Sequence, residues 1–538
     1  MFMRETCKNK AQLAFKVMDE HIYEETEPRT GYETEAFTFT DTAAKKENIR
    51  KNYVRALIAV LIIIIVTLSS ILIGQKPEEE NGGNGITTGR TTQRQLVCPN
   101  KPFSTIDIKP RGTSGTSHQR YLICFPGNHD NAANTDKSLY IVAERDFELN
   151  ISKKDLDSTS TYIEVKTQMA NVKKINVPYR MTLSYFKIEE KAILIETTID
   201  ANVIVIDNYY ASSDSTMVLP VKVLSNTYII STLEYSNQKF NDVQFAIAAL
   251  NKSTEVRIIF RVEPNLPLTV DGIDYQTGSE MVIVLNELET YQIRHKADLS
   301  GTFIKASSIV AVFSGNRCEK IAFKNRNDSG TCSQLVEQIP PVDRLDNVYI
   351  APPNINRYGT ILKVVSPFKS RVTYYVGNNK TTVPLLPQGH FEFSITEKQV
   401  AVIESERPVL LTSFATGSDT SGDPYMITIP GVTQYLNEYT VVTPSNFTDN
   451  YVALMIEESS LPHLTINERG LIEYMMTFYA PVTARKIRYM VLVVRVLDGA
   501  INVKTTNNAV FGLLVYGHKE NDGHGFAGNV VLPDVCVP

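Results

Sequence analysis

Three segments decide the fold: VLPVKVLSNTYII (218–230), IPPVDRLDNVYIA (339–351) and IPGVTQYLNEYTVV (429–442). Each runs from an apolar pair through Pro and a short polar spacer to an aromatic-led strand. Pro220 to Tyr228 and Pro341 to Tyr349 are 8 residues apart, and Pro430 to Tyr439 is 9. A half-copy, VVLPDV, closes the chain at 530–535. Upstream of each boundary lies a pair of apolar runs: ILIETTIDANVIVID (193–207), FIKASSIVAVFSG (303–315), AVIESERPVLLTSF (401–414) and INVKTTNNAVFGLLVYG (501–517). The runs are short, rich in β-branched residues and punctuated by turn residues, so they read as strands. A repeat at this period predicts tandem β-sandwich-like modules, about four of them, over 120–225, 226–346, 347–436 and 437–538. Tyr121, Tyr228, Tyr349 and Tyr439 are the expected equivalent positions. The alternative partition is two larger β-domains. The run 489–497 leads through Asp498-Gly499 into 501–503, which predicts a hairpin.

Working outward, the chain of 538 residues carries 54 basic and 59 acidic side chains, a net charge of −5 that argues against a general nucleic-acid binder. Residues 56–73, ALIAVLIIIIVTLSSILI, hold no charge and no polar face, so 56–74 reads as a single transmembrane helix. Lys45, Lys46, Arg50, Lys51 and Arg55 precede it, whereas Glu78, Glu79 and Glu80 follow. The positive-inside rule then places residues 1–55 in the cytoplasm as a largely disordered tail. The expected protein is a type II signal-anchored plasma-membrane protein. A flexible stalk spans 75–97, and an extracellular all-β ectodomain spans 98–538. Five N-glycosylation sequons, at Asn150, Asn251, Asn327, Asn379 and Asn446, all fall beyond the helix.

Of six cysteines, Cys98, Cys124, Cys318, Cys332 and Cys536 lie beyond the helix and Cys7 before it. The step from apolar run to Pro is 29 residues in the second repeat (Val312 to Pro341) and 19 in the two after it. The excess forms a polar loop that buries little, so a Cys318–Cys332 disulfide is expected to constrain it, with Asn327 at its tip. Cys98–Cys536 is the preferred second pairing; Cys98–Cys124 or an intermolecular bond is the alternative.

No zinc-protease, P-loop, nucleophile-elbow or EF-hand motif occurs. His518, His524, Glu520 and Asp522 share one loop, read as a surface turn and not a metal site. Asp419 and Asp423 read as a turn, and Lys504 with Thr505 and Thr506 as an exposed strand edge. No cofactor, metal or enzymatic activity is expected.

The segments that carry the repeat also carry a family likeness. FSGNRC (313–318), TCSQLVEQIPPV (331–342), VYIAPP (348–353), RPVLLTSFATG (407–417), GDPYMITIP (422–430) and FGLLVYG (511–517) resemble the IgG Fc-binding protein N-terminal domain family. The resemblance spans roughly 120–535. The membrane helix and tail lie outside it and depart from the secreted protein that names the family. It implies a non-enzymatic extracellular binding or adhesion domain whose partner is an extracellular protein or glycan. It does not identify the ligand, and no ligand contact carries over. The second reading is a structural component of an extracellular coat or mucus layer, released by cleavage in the stalk.

Overall fold

The computed structural model describes residues 119–128, 135–152, 163–166, 171–209, 212–234, 242–323, 332–417, 422–445, 447–520 and 522–530. All of them fall in one compact unit. The tail, transmembrane segment and stalk expected over 1–97 lie outside the described residues, as do Cys98, Cys536, Asn327, Asn446 and Asp419.

Among the described residues, regular structure is strand apart from short 3₁₀ turns, the longest being Glu458–His463. No helix there is long and apolar enough to cross a membrane. The strands stack as paired sheets over apolar cores, with alternate side chains buried between them. Tyr121, Tyr228, Tyr349 and Tyr439 occupy one recurring setting. Each sits mid-strand, opposite Ile195, Ile304, Ile403 and Val503 respectively. Each phenol is buried and donates to a backbone carbonyl several residues past its cross-strand partner. Tyr228 reaches Val310 O at 2.7 Å and Tyr439 reaches Phe511 O at 2.6 Å, while Tyr121 bonds Ala201 O and Tyr349 bonds Val409 O. Three of the hydroxyls also accept the backbone N–H three residues upstream, from Ser225 (3.1 Å), Asp346 (2.9 Å) and Leu436 (2.9 Å). Burial pushes the Tyr228 and Tyr439 phenols up, so they stay neutral donors.

The uneven proline spacing has a physical cause. Single 3₁₀ turns at Val221–Val223, Val342–Arg344 and Val432–Gln434 precede three of these strands. Their N-cap residues are Pro220, Pro341 and Gly431, each 8 residues before its tyrosine. Gly431, not Pro430, is therefore the equivalent of the two prolines. A Cβ there would lie 2.1 Å from the Cβ of Asp346, whose carboxylate accepts Thr433 N (2.8 Å) and Thr433 Oγ1 (2.7 Å).

Four strands spaced along the chain each lie at the edge of a sheet: Ser212–Val218, Ser333–Gln338, Tyr425–Thr428 and Asp522–Ala527. An exposed edge carries unpaired backbone groups and invites aggregation. Here the four edges face one another. The first packs on the second and the fourth, and the third packs on the second and the fourth, which makes a closed circuit. The Asp214 carboxylate lies at its centre. It accepts the N–H of Ser215 (2.8 Å), Val336 (3.0 Å), Met426 (3.1 Å) and Gly525 (3.4 Å), one from each of the four strands. The flanking residues of the Ser-Ser-Asp-Ser-Thr run satisfy the remaining edges. Ser212 Oγ accepts Gln334 N at 2.9 Å, Ser213 Oγ donates to Gly523 O at 2.9 Å, and Thr216 Oγ1 accepts Gln338 N at 3.0 Å.

A buried ion cluster adds a further tie between the second and third repeats. Lys363, fully buried, donates to Asp298 (2.6 Å), Glu392 (2.8 Å) and Thr232 O (2.7 Å). Asn529 Nδ2 donates to Asn202 Oδ1 at 2.7 Å, tying the fourth repeat back to the first.

Two local expectations do not hold. Asp498-Gly499 is a crossover and not a hairpin turn: Ile487–Val496 pairs with Met476–Ala484 and Asp449–Glu457, whereas Gly499–Thr505 belongs to another sheet. Gly499, at φ +109°, supplies the bend. Gly499–Thr505 is also internal, lying between Glu438–Thr443 and Leu464–Ile466, so Lys504 and Thr505 are not on a sheet edge.

Candidate functional groove

A large cleft lies where one hairpin of the fourth repeat packs beside a sheet of the third. Met476–Ala484 and Ile487–Val496 are joined by a two-residue turn, Arg485-Lys486, with φ values of +43° and +70°. Positive φ at both positions is the primed-turn geometry that matches strand twist, here adopted by two bulky cations instead of the usual Asn-Gly. The turn is anchored to the third repeat, because Arg485 N–H donates to Glu404 Oε1 at 2.8 Å. The inward residues Phe478, Ala480 and Val482 pack on the third repeat's core, which fixes the angle of the hairpin.

The opposite wall is the hairpin Ser370–Val376 and Asn379–Leu385, whose turn is Gly377-Asn378 with Gly377 at φ +58°. Lys398 and Gln399 close one end, and buried Val400 and Val402 form the floor with Ala480 and Val482. The groove has a volume of about 1110 Å³. Lys398, Arg485, Lys486 and Arg488 line it, against the single acid Glu404. Arg488 pairs with Glu458 at 2.9 Å, whereas Lys398 and Lys486 form no ion pair among the described residues. Lys380 adds a fifth cation beside the wall, 5.7 Å over the ring of Tyr375.

Of the residues singled out in the sequence, Asn150, Asn251 and Asn379 are exposed, as a sequon must be to receive glycan. Asn379 pairs with Val376 on the groove's wall hairpin, so a chain attached there would stand at the rim. Asn150 and Asn251 donate to Glu196 (2.9 Å) on a neighbouring strand and to Ser308 (2.6 Å) in a bend. Cys318 and Cys332 are disulfide-bonded, with Cα atoms 5.0 Å apart. Cys124 is a free thiol at 1% exposure, and burial pushes its ionisation far above the usual thiol range.

The loop holding His518 and His524 is not a surface turn. Both imidazoles are buried, at 1% and 0% exposure, because Phe511–Lys519 and Asp522–Ala527 pair as a hairpin packed into the central circuit. Burial first, and then the Arg357 charge, lowers His518 to about 4. Burial and the neighbouring His518 lower His524 to about 3. Asp423, between the strands Ala401–Ala415 and Tyr425–Thr428, is fully buried. No group of three His, Cys, Asp or Glu side chains among the described residues converges as metal ligands. The sequence reading missed the groove and the Asp214 centre. Two consecutive cations at a strand junction, Arg485-Lys486, were the available signal for the first. The alternating hydroxyls around Asp214 were the signal for the second.

The family model described as IgGFc binding protein matches residues 214–517. The human IgGFc-binding protein is 24% identical over 388 residues, covering 70% of this chain and 7% of that protein. The chain thus spans a small fraction of the relative's length. No solved structure matches.

Proposed function

Because the chain belongs to the IgGFc-binding protein family, with the family match covering more than half of its length, we propose that it is a cell-surface glycoprotein whose ectodomain binds an extracellular protein or glycan. In this reading the protein is a single-pass type II plasma-membrane protein. Its four β-modules, with boundaries at 120–225, 226–346, 347–436 and 437–538, act as one rigid platform, and recognition is surface complementarity. The observation that carries the reading is the groove itself. Its walls come from two hairpins far apart in the chain that are tied by the Arg485–Glu404 bond and by packing on one core, and preorganised walls reduce the ordering cost of binding. The five cations before residue 56 and the sequons after residue 74 support the orientation.

The test has two parts. Biotin and glycosidase applied to intact cells should label the C-terminal part and lower its mass; protection of that part from external protease, with loss of residues 1–50, would refute the orientation. The full chain, captured from detergent extract after surface cross-linking, should retain an extracellular protein or glycan partner. Quantitative recovery without any cross-linked partner would refute the binding role.

A further inference from the structure

We propose that the groove between the third and fourth repeats takes a sulfated polysaccharide chain. The inference rests on the binding role above and specifies what occupies this one surface. Three features of the groove select this class of ligand.

The first is charge. Lys398, Arg485, Lys486 and Arg488 line one cleft opposed by Glu404 alone, and Lys380 stands beside it. Long cationic side chains along one wall and at one end of the groove suit a chain with repeated anionic groups. The second is the lack of an apolar anchor pocket. Protein partners draw most of their affinity from large side chains seated in desolvated pockets. The floor here is Val400, Val402, Ala480 and Val482, small residues already packed on the core, and Tyr375 is covered by the Lys380 ammonium. The third is the state of the strand edge. Met476–Ala484 is the outer strand of its sheet, so an acidic peptide would be expected to dock there by strand addition. Pro481 sits within that strand and lines the groove, and it removes a ladder donor where an added strand would need one. A polysaccharide needs no ladder.

Asn379 at the rim places the expected N-glycan next to the path, where its acidic termini would compete with an anionic ligand.

The experiment measures binding of the full-length chain in detergent to immobilised heparin oligosaccharide, with the desulfated oligosaccharide and polyglutamate as parallel surfaces. The expected result is binding to the sulfated surface that weakens steeply with added salt, and at least tenfold weaker binding to the other two. The double variant Lys398→Glu, Lys486→Glu should lose about tenfold or more in affinity, while Lys398→Arg, Lys486→Arg retains it. Unchanged thermal unfolding in both variants, which alter only exposed side chains, separates lost contact from lost fold. Equal binding of the charge-reversed variant, equal binding to the desulfated surface, or tighter binding to polyglutamate would overturn the proposal. Retention of a protein partner by a chain that ignores the sulfated surface would overturn this inference and leave the binding role standing.

Discussion

The Asp214 carboxylate and the backbone N–H of Met426 are 3.1 Å apart, although 212 residues separate them along the chain. The same carboxylate holds Val336 and Gly525, so one side chain closes the edges of three strands besides its own. Asp214→Ala should therefore destabilise far beyond the loss of a single side chain. It leaves several buried N–H groups without an acceptor, at roughly 1–3 kcal/mol each. A loss above about 3 kcal/mol in urea unfolding, with a smaller loss for Asp214→Asn, is the expected outcome; a change under about 1 kcal/mol would contradict the role of Asp214 in closure.

The tyrosine quartet makes a comparative prediction. Tyr228→Phe, Tyr349→Phe and Tyr439→Phe each remove a donor to a buried carbonyl and an acceptor for a buried N–H. Each should cost about 1–3 kcal/mol. Similar costs at the three sites would follow from their shared geometry, and a neutral result at any one would single it out as different.

Glu337 sets a pH dependence. Burial, and then the nearby Asp214 charge, raises its carboxyl well above the ordinary value of about 4.3. A raised acid favours the folded state fully below the unfolded value, and that advantage is lost as pH rises through the folded value. Glu337→Gln should gain stability over the parent as pH rises above about 4.5. Melting curves of the two proteins that stay parallel from pH 4 to 8 would refute this.

The Lys363 cluster titrates in the opposite sense. Burial, and then the Lys363 ammonium, lowers His390 to about 4. Burial alone would raise Asp298, but Lys363 and His390 overcome it and hold it at about 2. The folded state resists protonating His390, so stability is lost as pH falls from about 6.5 to 4, and the Asp298 contribution is lost below that. His390→Gln should flatten unfolding midpoints between pH 6.5 and 4 while leaving the steeper fall below pH 4 in place.

Gly431 supplies a steric test. Gly431→Ala places a methyl 2.1 Å from Asp346 Cβ and should cost several kcal/mol or prevent folding, whereas Gly470→Ala meets nothing within 4 Å. Comparable expression and melting of the two variants would exclude the close approach at Gly431.

What the sequence made legible was local. The Pro-to-Tyr spacing spans one 3₁₀ turn and half a strand, so the apolar pairs and Tyr228, Tyr349 and Tyr439 could be aligned by eye. The disulfide across the 318–332 loop followed from a length difference between repeats. The centre was illegible because its logic is long-range. Ser212 to Thr216 is a run of polar side chains with no local partner in the sequence, and each serves a backbone group more than a hundred residues away. His518 and His524 misled for the same reason: a Gly-rich turn between them reads as surface until the edge that buries it is known. Asp498-Gly499 carries a hairpin signature, but the partner of each flanking strand was decided by sheet pairing and not by the turn.

The bond from Ser213 to Gly523 joins the last strand of the final repeat to that of the first. A stack of repeats with free ends can grow or shrink by one copy with little penalty, and arrays of that kind vary in length over evolution. A circuit that returns to its starting strand has no such freedom. Inserting a further copy would pull Asp522–Ala527 away from Ser212–Val218, and deleting one would leave two edges bare. Duplication of this domain should therefore proceed by copying whole circuits, and recombination within one should be purged.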